Sequence, residues 1–275
     1  MQQVDAKLLT ICADDFAFNE GVSLAVVQLA RLGRVSATSA MVLSPRWPGD
    51  AALLRELRGR MDVGLHLDWT SPLAVAAGHG VPLRSAMLRS LRRGFDAAQV
   101  ALVIDRQLDA FEGQWKAAPD HVDGHQHVHQ FAGIREPLLD RLDRRYGAGA
   151  GPYLRVSQPV RGSGVKGWVI AGMGAAALTA ELRARGRAGT AALTGLYDFR
   201  GSAADYAARA DRWLRDAPPG AVLMCHPGTQ ASAGDAIGDA RRAEFEYWRS
   251  ERASAALASA KAVPARGPGR PPSVR

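Results

Sequence analysis

Short apolar runs alternate with amphipathic segments along most of this chain, and this alternation restricts its fold more than any other feature. Runs such as Leu8–Ala13, Met61–Leu67 and Ala221–Cys225 have the length and apolar content of buried strands. Segments with helical periodicity follow, for example from Glu20 to about Gly33 and from Ala97 to Lys116. Strands that alternate with helices predict an α/β fold with a mainly parallel sheet.

Polar and ionisable side chains of the types that bind metals or move protons follow most of the predicted strands. They are Asp14, Asp15, His66, the run His121–His129, Arg155 and His226. In barrels and in open parallel sheets, active sites form at the carboxyl edge of the strands. We therefore expect these side chains to meet in one site.

The histidine run predicts a metal centre. Four of the seven histidines lie between His121 and His129, and Asp123 lies among them. Imidazole and carboxylate are the ligands of Zn, Fe, Mn or Ni sites. A closed structural site would use four ligands and favour cysteine, which the run lacks, whereas an open catalytic site needs three protein ligands. The other histidines would then orient the ligands or contact the substrate.

Each of these residues also has a simpler interpretation. Asp14 and Asp15 lie where a strand ends, so both could reach one site, one as a metal ligand and the other as a proton acceptor; alternatively, either could cap the next helix. His66 is either a distant metal ligand or a hydrogen-bonded core residue. His226 has the ordinary pKa of a general acid, or it is a loop residue without a role.

Composition predicts one compact domain over residues 1–262 and a disordered tail over 263–275, which is rich in Pro, Gly and Arg. The formal charge is +8, but no basic stripe is interleaved with aromatic residues, so we expect no nucleic-acid partner. Two cysteines far apart in sequence favour reduced thiols. Without a signal peptide or a transmembrane segment, we expect a cytoplasmic protein.

Five motifs occur in a characteristic order. They are Ala13-Asp-Asp-Phe16, Gly64-Leu-His66, His121-Val-Asp-Gly-His-Gln-His-Val-His129, Leu154-Arg-Val156 and Met224-Cys-His-Pro227. Together they closely resemble the YdjC/ChbG-type carbohydrate deacetylases, which include the HpnK branch, from about Leu8 to Gly228. The resemblance implies a deformed (β/α) barrel related to polysaccharide deacetylases. It also implies a divalent-metal hydrolase that removes acetyl groups from N-acetylated sugars.

The resemblance gives six residues a role. They are Asp15, His66 and His125 as metal ligands, Asp14 as catalytic base, His226 as the acid that protonates the leaving amine, and Arg155 as a basic residue near the base. Asp123, His127 and His129 remain as residues that orient the ligands or contact the substrate. One departure is Ala17, where the family usually has Gly.

We therefore expect one divalent ion, Zn or Mg, and a small N-acetylglucosamine-containing oligosaccharide or glycolipid as substrate. Specificity should lie in Trp69–Gly94, predicted as a long loop or lid, and in Gly162–Gly174. Trp69 either stacks on a sugar ring or packs within the lid. A phosphoesterase with a second metal at His127 and His129, a non-catalytic metal- or carbohydrate-binding protein, and a homodimer all remain open.

Overall fold

The computed structural model describes residues 6–160, 164–232 and 234–268. Within these ranges, eight strands form one curled sheet. They are β1 (Lys7–Phe16), β2 (Ala37–Ala40), β3 (Asp62–Leu67), β4 (His121–Gly124), β5 (Tyr153–Leu154), β6 (Leu193–Thr194), β7 (Val222–Cys225) and β8 (Ala262–Pro264). The order is β5-β4-β3-β2-β1-β7-β6, with β8 beside the start of β1, and all the strand pairs are parallel.

The two ends of the sheet meet. The backbone N–H of Leu193 donates to the carbonyl of Gln158 at 2.7 Å, and the N–H of Val160 donates to the carbonyl of Leu193 at 3.0 Å. These parallel bridges join the segment after β5 to β6. The sheet therefore curls into a deformed barrel, which confirms the predicted fold.

Helices connect the strands. They are α1 (Glu20–Arg31), α2 (Trp47–Asp50), α3 (Pro72–Ala76), α4 (Leu83–Leu91), α5 (Ala97–Trp115), α6 (Arg135–Tyr146), α7 (Gly164–Gly172), α8 (Ala175–Ala184), α9 (Ala203–Asp216), α10 (Gly238–Arg249) and α11 (Glu251–Ser259). Their starts follow local chemistry, since the Asn19 side chain caps α1 and Ser202 forms a capping box on α9. Among the described residues, no helix has the length and apolar content needed to cross a bilayer.

The core is built around β1, which lies between β2 and β7. Eight of its ten residues are buried, as expected of a central parallel strand covered on both faces. On one face, the Trp47 ring stacks on Phe111 at 5.4 Å and meets Phe16 edge-on at 6.4 Å between ring centroids. This aromatic cluster fixes α2 and α5 against the end of β1.

Several segments differ from the sequence predictions. Trp69–Gly94 is not a continuous loop, because it contains α3, capped by Ser71, and α4. Gly162–Gly174 contains α7, and its residues 162 and 163 lie outside the described ranges. Further along the chain, Ser250 ends α10 and caps α11. In each case glycines or serines flank helices rather than exclude them.

The segment directly after residue 262 pairs with the sheet. Residues 262–264 form β8, and the N–H of buried Ala265 donates to the carbonyl of Leu9 at 2.8 Å. The N–H of Gly267 donates to the Asp62 carboxylate at 2.8 Å. The predicted disorder is therefore wrong for residues 263–268, because pairing with the sheet stabilises a segment of low apolar content. Residues 269–275 lie outside the described ranges.

Candidate functional site

A cavity of about 440 Å³ lies over the carboxyl edge of the sheet. Six side chains from the ends of β1, β3, β4, β5 and β7 line it, and we call them the cavity floor. They are Asp14, Asp15, His66, His125, Arg155 and His226. The structure thus brings together every residue to which the sequence gave a direct role in binding the metal or in catalysis.

A turn with left-handed backbone at the end of β1 allows two adjacent carboxylates to reach the cavity. Asp15 has φ +66° and Ala17 has φ +70°. This conformation is free for Gly but costs roughly 1 kcal/mol for other residues. Because the strand turns here, Asp14 and Asp15 both line the cavity and do not point to opposite faces. Ala17 adopts a conformation that Gly would provide without strain.

Asp15, His66 and His125 form a candidate metal site. The Asp15 Oδ1 atom lies 3.4 Å from Nε2 of His66 and 3.3 Å from Nδ1 of His125. One potential ligand atom from each residue lies within 4.8 Å of the others. Asp15 and His66 are buried, while the His125 side chain is 22% exposed. Two imidazoles and one carboxylate with one accessible side fit a three-ligand site that keeps a position for water or substrate.

Asp123 orients His66 for this task. The Nδ1–H of His66 donates to Asp123 Oδ1 at 2.6 Å, which leaves Nε2 directed at Asp15. A carboxylate behind a histidine in this way fixes the ring and raises its basicity toward a metal. Burial alone would lower the pKa of His66, but the Asp123 carboxylate and Asp15 raise it to about 10. The site therefore favours a positive charge at the point where a cation would bind.

Arg241 from α10 holds the second oxygen of Asp15. Its Nη2 lies 2.7 Å from Asp15 Oδ2, and its Nε donates to Asp235 at 2.8 Å. Burial raises the pKa of Asp15, but Arg241 and the two histidines outweigh burial and keep the pKa well below its usual range. Sequence reasoning missed Arg241, because nothing distinguishes it from the other arginines of an amphipathic helix.

Asp14 has a different partner, the guanidinium of Arg155. Two nearly parallel hydrogen bonds of 2.7 and 2.8 Å join Arg155 Nη1 and Nη2 to the two oxygens of Asp14. Arg155 Nη1 also lies 3.0 Å from Asp123, and the Arg155 side chain is only 2% exposed. A bidentate pair of this kind fixes the plane of the carboxylate. Asp14 is thus held in one orientation beside the metal site.

His226 approaches Asp14 from β7. Its Nε2 lies 3.8 Å from Asp14 Oδ2, and its ring meets Phe199 edge-on at 5.0 Å. Burial lowers the pKa of His226 to about 4, a stronger effect than the opposing attraction of Asp14 and Asp15. The backbone N–H of His226 donates to buried Glu244 at 2.6 Å. Sequence reasoning also missed Glu244, which fixes the backbone at the end of β7.

The remaining candidates divide into two groups. His127 lines the cavity, and its Nδ1 lies 2.9 Å from the Ser157 hydroxyl. His129 lies behind the floor, fully buried, where its Nε2–H donates to the Arg155 carbonyl at 2.6 Å. Trp69 does not line the cavity either, because its ring is buried and meets His79 edge-on. The structure thus brings His127 to the site and leaves His129 and Trp69 in the core.

A family model described as YdjC-like protein matches residues 8–259. The chain belongs to the YdjC-like family. It is 30% identical over 247 residues to a carbohydrate deacetylase of Mus musculus, across 80% of this chain and 77% of the relative. It is 31% identical over 163 residues to a chitooligosaccharide deacetylase of Enterobacter sp. (strain 638), across 57% of this chain and 62% of the relative.

A third relative is a carbohydrate deacetylase of Brevibacillus brevis, 32% identical over 143 residues, 50% of this YdjC-like chain and 56% of the relative. The chain therefore matches less than two thirds of the length of these bacterial relatives. Its fold is similar to that of a crystal structure from Enterococcus faecalis V583, named as a candidate cellobiose-phosphate cleavage protein. The TM-score is 0.68 over 95% of this chain and 98% of the other, at 20% identity.

Proposed function

We propose that this YdjC-like protein is a metal-dependent hydrolase that removes the acetyl group from an N-acetylated sugar. One observation carries the proposal: two adjacent carboxylates of β1 serve different partners. Asp15 belongs to the metal site with His66 and His125, whereas Asp14 is held by Arg155 beside His226. Amide hydrolysis needs this division, because one group must bind the cation while another moves a proton. The names of the relatives support the same chemistry.

Asp15, His66 and His125 would hold one divalent cation. Such a cation would polarise the acetyl carbonyl and lower the pKa of the attacking water. The mixed imidazole and carboxylate donors favour Zn, with Mg as the alternative.

The residues beside the metal site would move one proton from water to the amine. Asp14, oriented by Arg155, accepts it as the water attacks the carbonyl carbon. His226 Nε2 lies 3.8 Å from the Asp14 carboxylate and can take up that proton. His226 then protonates the departing nitrogen as the amide bond breaks, which releases acetate and a free amine.

This order differs from the sequence-based expectation of a histidine that already carries its proton. With a pKa of about 4, His226 is neutral at pH 7 before the reaction starts. The proton that it gives to the amine is therefore the one that leaves the water.

The walls of the cavity are suited to one face of a sugar. Apolar side chains from α4, from α7 and from the residue after α7 line one side, and we call them the apolar wall. They are Leu83, Met87, Val169, Ile170 and Met173. Phe18 and Phe199 line the cavity as well and replace Trp69 as candidates for contact with a sugar ring. We propose an N-acetylglucosamine-containing oligosaccharide or glycolipid as substrate.

The phosphoesterase alternative has less support. It would require a second metal about 4 Å from the first. Among the described residues, none of the groups that could hold a metal includes His127 or His129.

As part of the proposal we place the protein in the cytoplasm, since Cys12 and Cys225 lie on neighbouring strands as free thiols.

The test is an acetate-release screen with N-acetylglucosamine oligosaccharides and N-acetylglucosaminyl lipids. We expect acetate and free amine in equal amounts, activity lost after chelation, and activity restored by adding back Zn or Mg. A phosphate-ester substrate serves as the comparison. Metal-loaded protein that releases acetate from none of these sugars would contradict the proposal, and phosphate release would favour the alternative.

A further inference from the structure

Large apolar side chains are exposed beside the cavity. On α4, Leu88 is 46% exposed and Leu91 is 83% exposed; on α7, Trp168 is 73% exposed and Val169 is 48% exposed. We call these four residues the α4–α7 rim. A group of large apolar side chains left in solvent on one side of a protein marks an interaction surface.

The rim is continuous with the inside of the cavity. Leu83 and Met87 line the cavity on α4, and Leu91 follows them on the same helical face at a spacing of four residues. On α7, Val169 both lines the cavity and reaches solvent. The two helices therefore flank the opening, and whatever covers the rim also lies at the cavity mouth.

The segment that contains α3 and α4 carries charge of one sign. Residues 69–95 contain four arginines and no acidic residue. These arginines are Arg84, Arg89, Arg92 and Arg93, and all are exposed. A helix that presents leucines next to several arginines has the chemistry of a segment lying in the headgroup layer of an anionic bilayer. Tryptophan is also enriched at that depth, because its ring is apolar and its N–H can face water.

We propose that the α4–α7 rim docks on the surface of an anionic lipid bilayer. The rim side chains enter the apolar boundary of the headgroup layer, and the arginines on α4 and just after it bind lipid phosphates. The cavity mouth then faces the membrane. A second copy of this chain fits the rim less well, because a two-fold interface would place the arginines of one α4 against those of the other.

Vesicle sedimentation tests the docking with two lipid compositions. We expect the full chain to bind vesicles of phosphatidylglycerol and phosphatidylcholine, to bind pure phosphatidylcholine weakly, and to be released as salt is raised. Leu91→Glu should weaken binding by at least about tenfold, since burial of one leucine is worth that factor.

The matched control is Leu32→Glu. Leu32 is 52% exposed and caps the carboxyl end of α1. Because α1 runs back between two parallel strands, this end lies at the amino edge of the sheet, opposite the cavity. Leu32→Glu should bind vesicles like the unchanged protein.

Quenching by brominated lipids locates the contact. Trp47, Trp69, Trp115 and Trp248 are all less than 5% exposed, and Trp213 is partly buried, so Trp168 is the fluorophore open to quenching. Brominated phosphatidylglycerol should quench the unchanged protein. Trp168→Phe should lose most of the quenching yet still sediment with the vesicles.

Three outcomes would overturn the proposal. They are no binding of the unchanged protein to anionic vesicles, equal weakening by Leu32→Glu and Leu91→Glu, and a dimer in sedimentation equilibrium that Leu91→Glu dissociates. The last would assign the rim to a second copy.

Vesicle binding needs no turnover, and neither leucine lines the cavity. Acetate release from a water-soluble sugar by the same variants therefore separates failure of the docking from failure of the proposed activity.

Discussion

The cavity floor lies at the bottom of the cavity, and the α4–α7 rim flanks its mouth. The floor consists of largely buried ionisable side chains, whereas the rim consists of exposed apolar side chains. On the floor, Arg155 is 2% exposed and binds two carboxylates; on the rim, Trp168 is 73% exposed. Floor residues come from the ends of paired strands, whereas rim residues come from helices placed over them. The contrast teaches that the sheet fixes the positions of the charged side chains, whereas helices carry the apolar surface beside the cavity.

The register of the sheet explains the rigidity of the floor. Ala13 lies opposite Cys225 in the β1–β7 pair, which places Asp14 beside His226 one residue later on each strand. In the β3–β4 pair, His66 lies opposite Asp123. A shift of one residue in either pair would send these side chains to the other face of the sheet.

The largest expected effect is on the floor. Asp14→Asn keeps the size of the side chain but removes the proton acceptor, so the rate of acetate release should fall by about 10²–10⁴. Metal content and the circular dichroism spectrum should not change. Asp109→Asn is the control, because Asp109 is 66% exposed on α5. Full activity of Asp14→Asn would show that Asp14 is not the proton acceptor.

The next test compares how well variants retain the metal. Two variants replace histidines of the floor, and one replaces a histidine of the segment between α3 and α4. His66→Ala or His125→Ala should lower metal affinity by more than about tenfold. Removing a residue that only hydrogen-bonds a metal ligand already has an effect of that size, and removing the ligand itself should have at least the same effect. His79→Ala should retain the metal, because His79 binds the backbone carbonyl of Asp68. Elemental analysis that finds full occupancy in both floor variants would refute the ligand assignment.

The buried histidines predict acid sensitivity of the metal-free protein. Burial lowers the pKa of His129 to about 4, whereas a histidine in the unfolded chain has a pKa of about 6.5. Between these values the unfolded state binds the proton more readily, so the free energy of unfolding falls as the pH falls. From pH 7 to pH 5 the loss should be about 2 kcal/mol for this one group.

Denaturant unfolding at the two pH values measures this loss. In His129→Gln the difference between the free energies of unfolding at pH 7 and pH 5 should shrink by about 2 kcal/mol. An equal difference in the variant and the unchanged protein would show that protonation of His129 does not limit stability.

The smallest expected effect on activity comes from a substitution in the apolar wall. Met87→Ala removes part of the surface that a substrate would contact, so KM should rise roughly two- to tenfold while kcat stays near its original value. Leu102→Ala is the control, since Leu102 is 59% exposed on α5 and does not line the cavity. A large fall in kcat for Met87→Ala would show that the wall takes part in the chemistry and would erase the contrast with the floor.

Sequence predicted the floor well because its residues follow recognisable strands. Asp14 and His226 each end an apolar run, and parallel strands bring such ends together. Arg241 and Glu244 could not be found in this way. They lie on α10, and only the packing of that helix against β1 and β7 reveals that they touch Asp15 and the backbone of His226.

The helical rim was harder to predict than the strands. Glycines and prolines between Trp69 and Gly94 indicated a loop, yet they fall at the ends of α3 and α4. Trp69 looked suited to sugar binding, but the burial of a side chain in an irregular segment depends on neighbours far away in sequence. Residues 263–268 posed the same problem, since their partners Leu9 and Asp62 lie far earlier in the sequence.

The position of β1 in the sheet has a consequence for folding during translation. Thr10 pairs with Val222, and Lys7 pairs with Ala262. The strand that carries Asp14 and Asp15 is therefore synthesised before the other described strands, but it gains its last pairing partners only when β7 and β8 have been made. At 5–20 residues per second, about 10–50 s separate the synthesis of these partners. Until β7 emerges, the nascent chain exposes a bare apolar edge of β1 that can pair with other chains. A central strand that is made before its partners therefore leaves an edge unpaired for tens of seconds during translation.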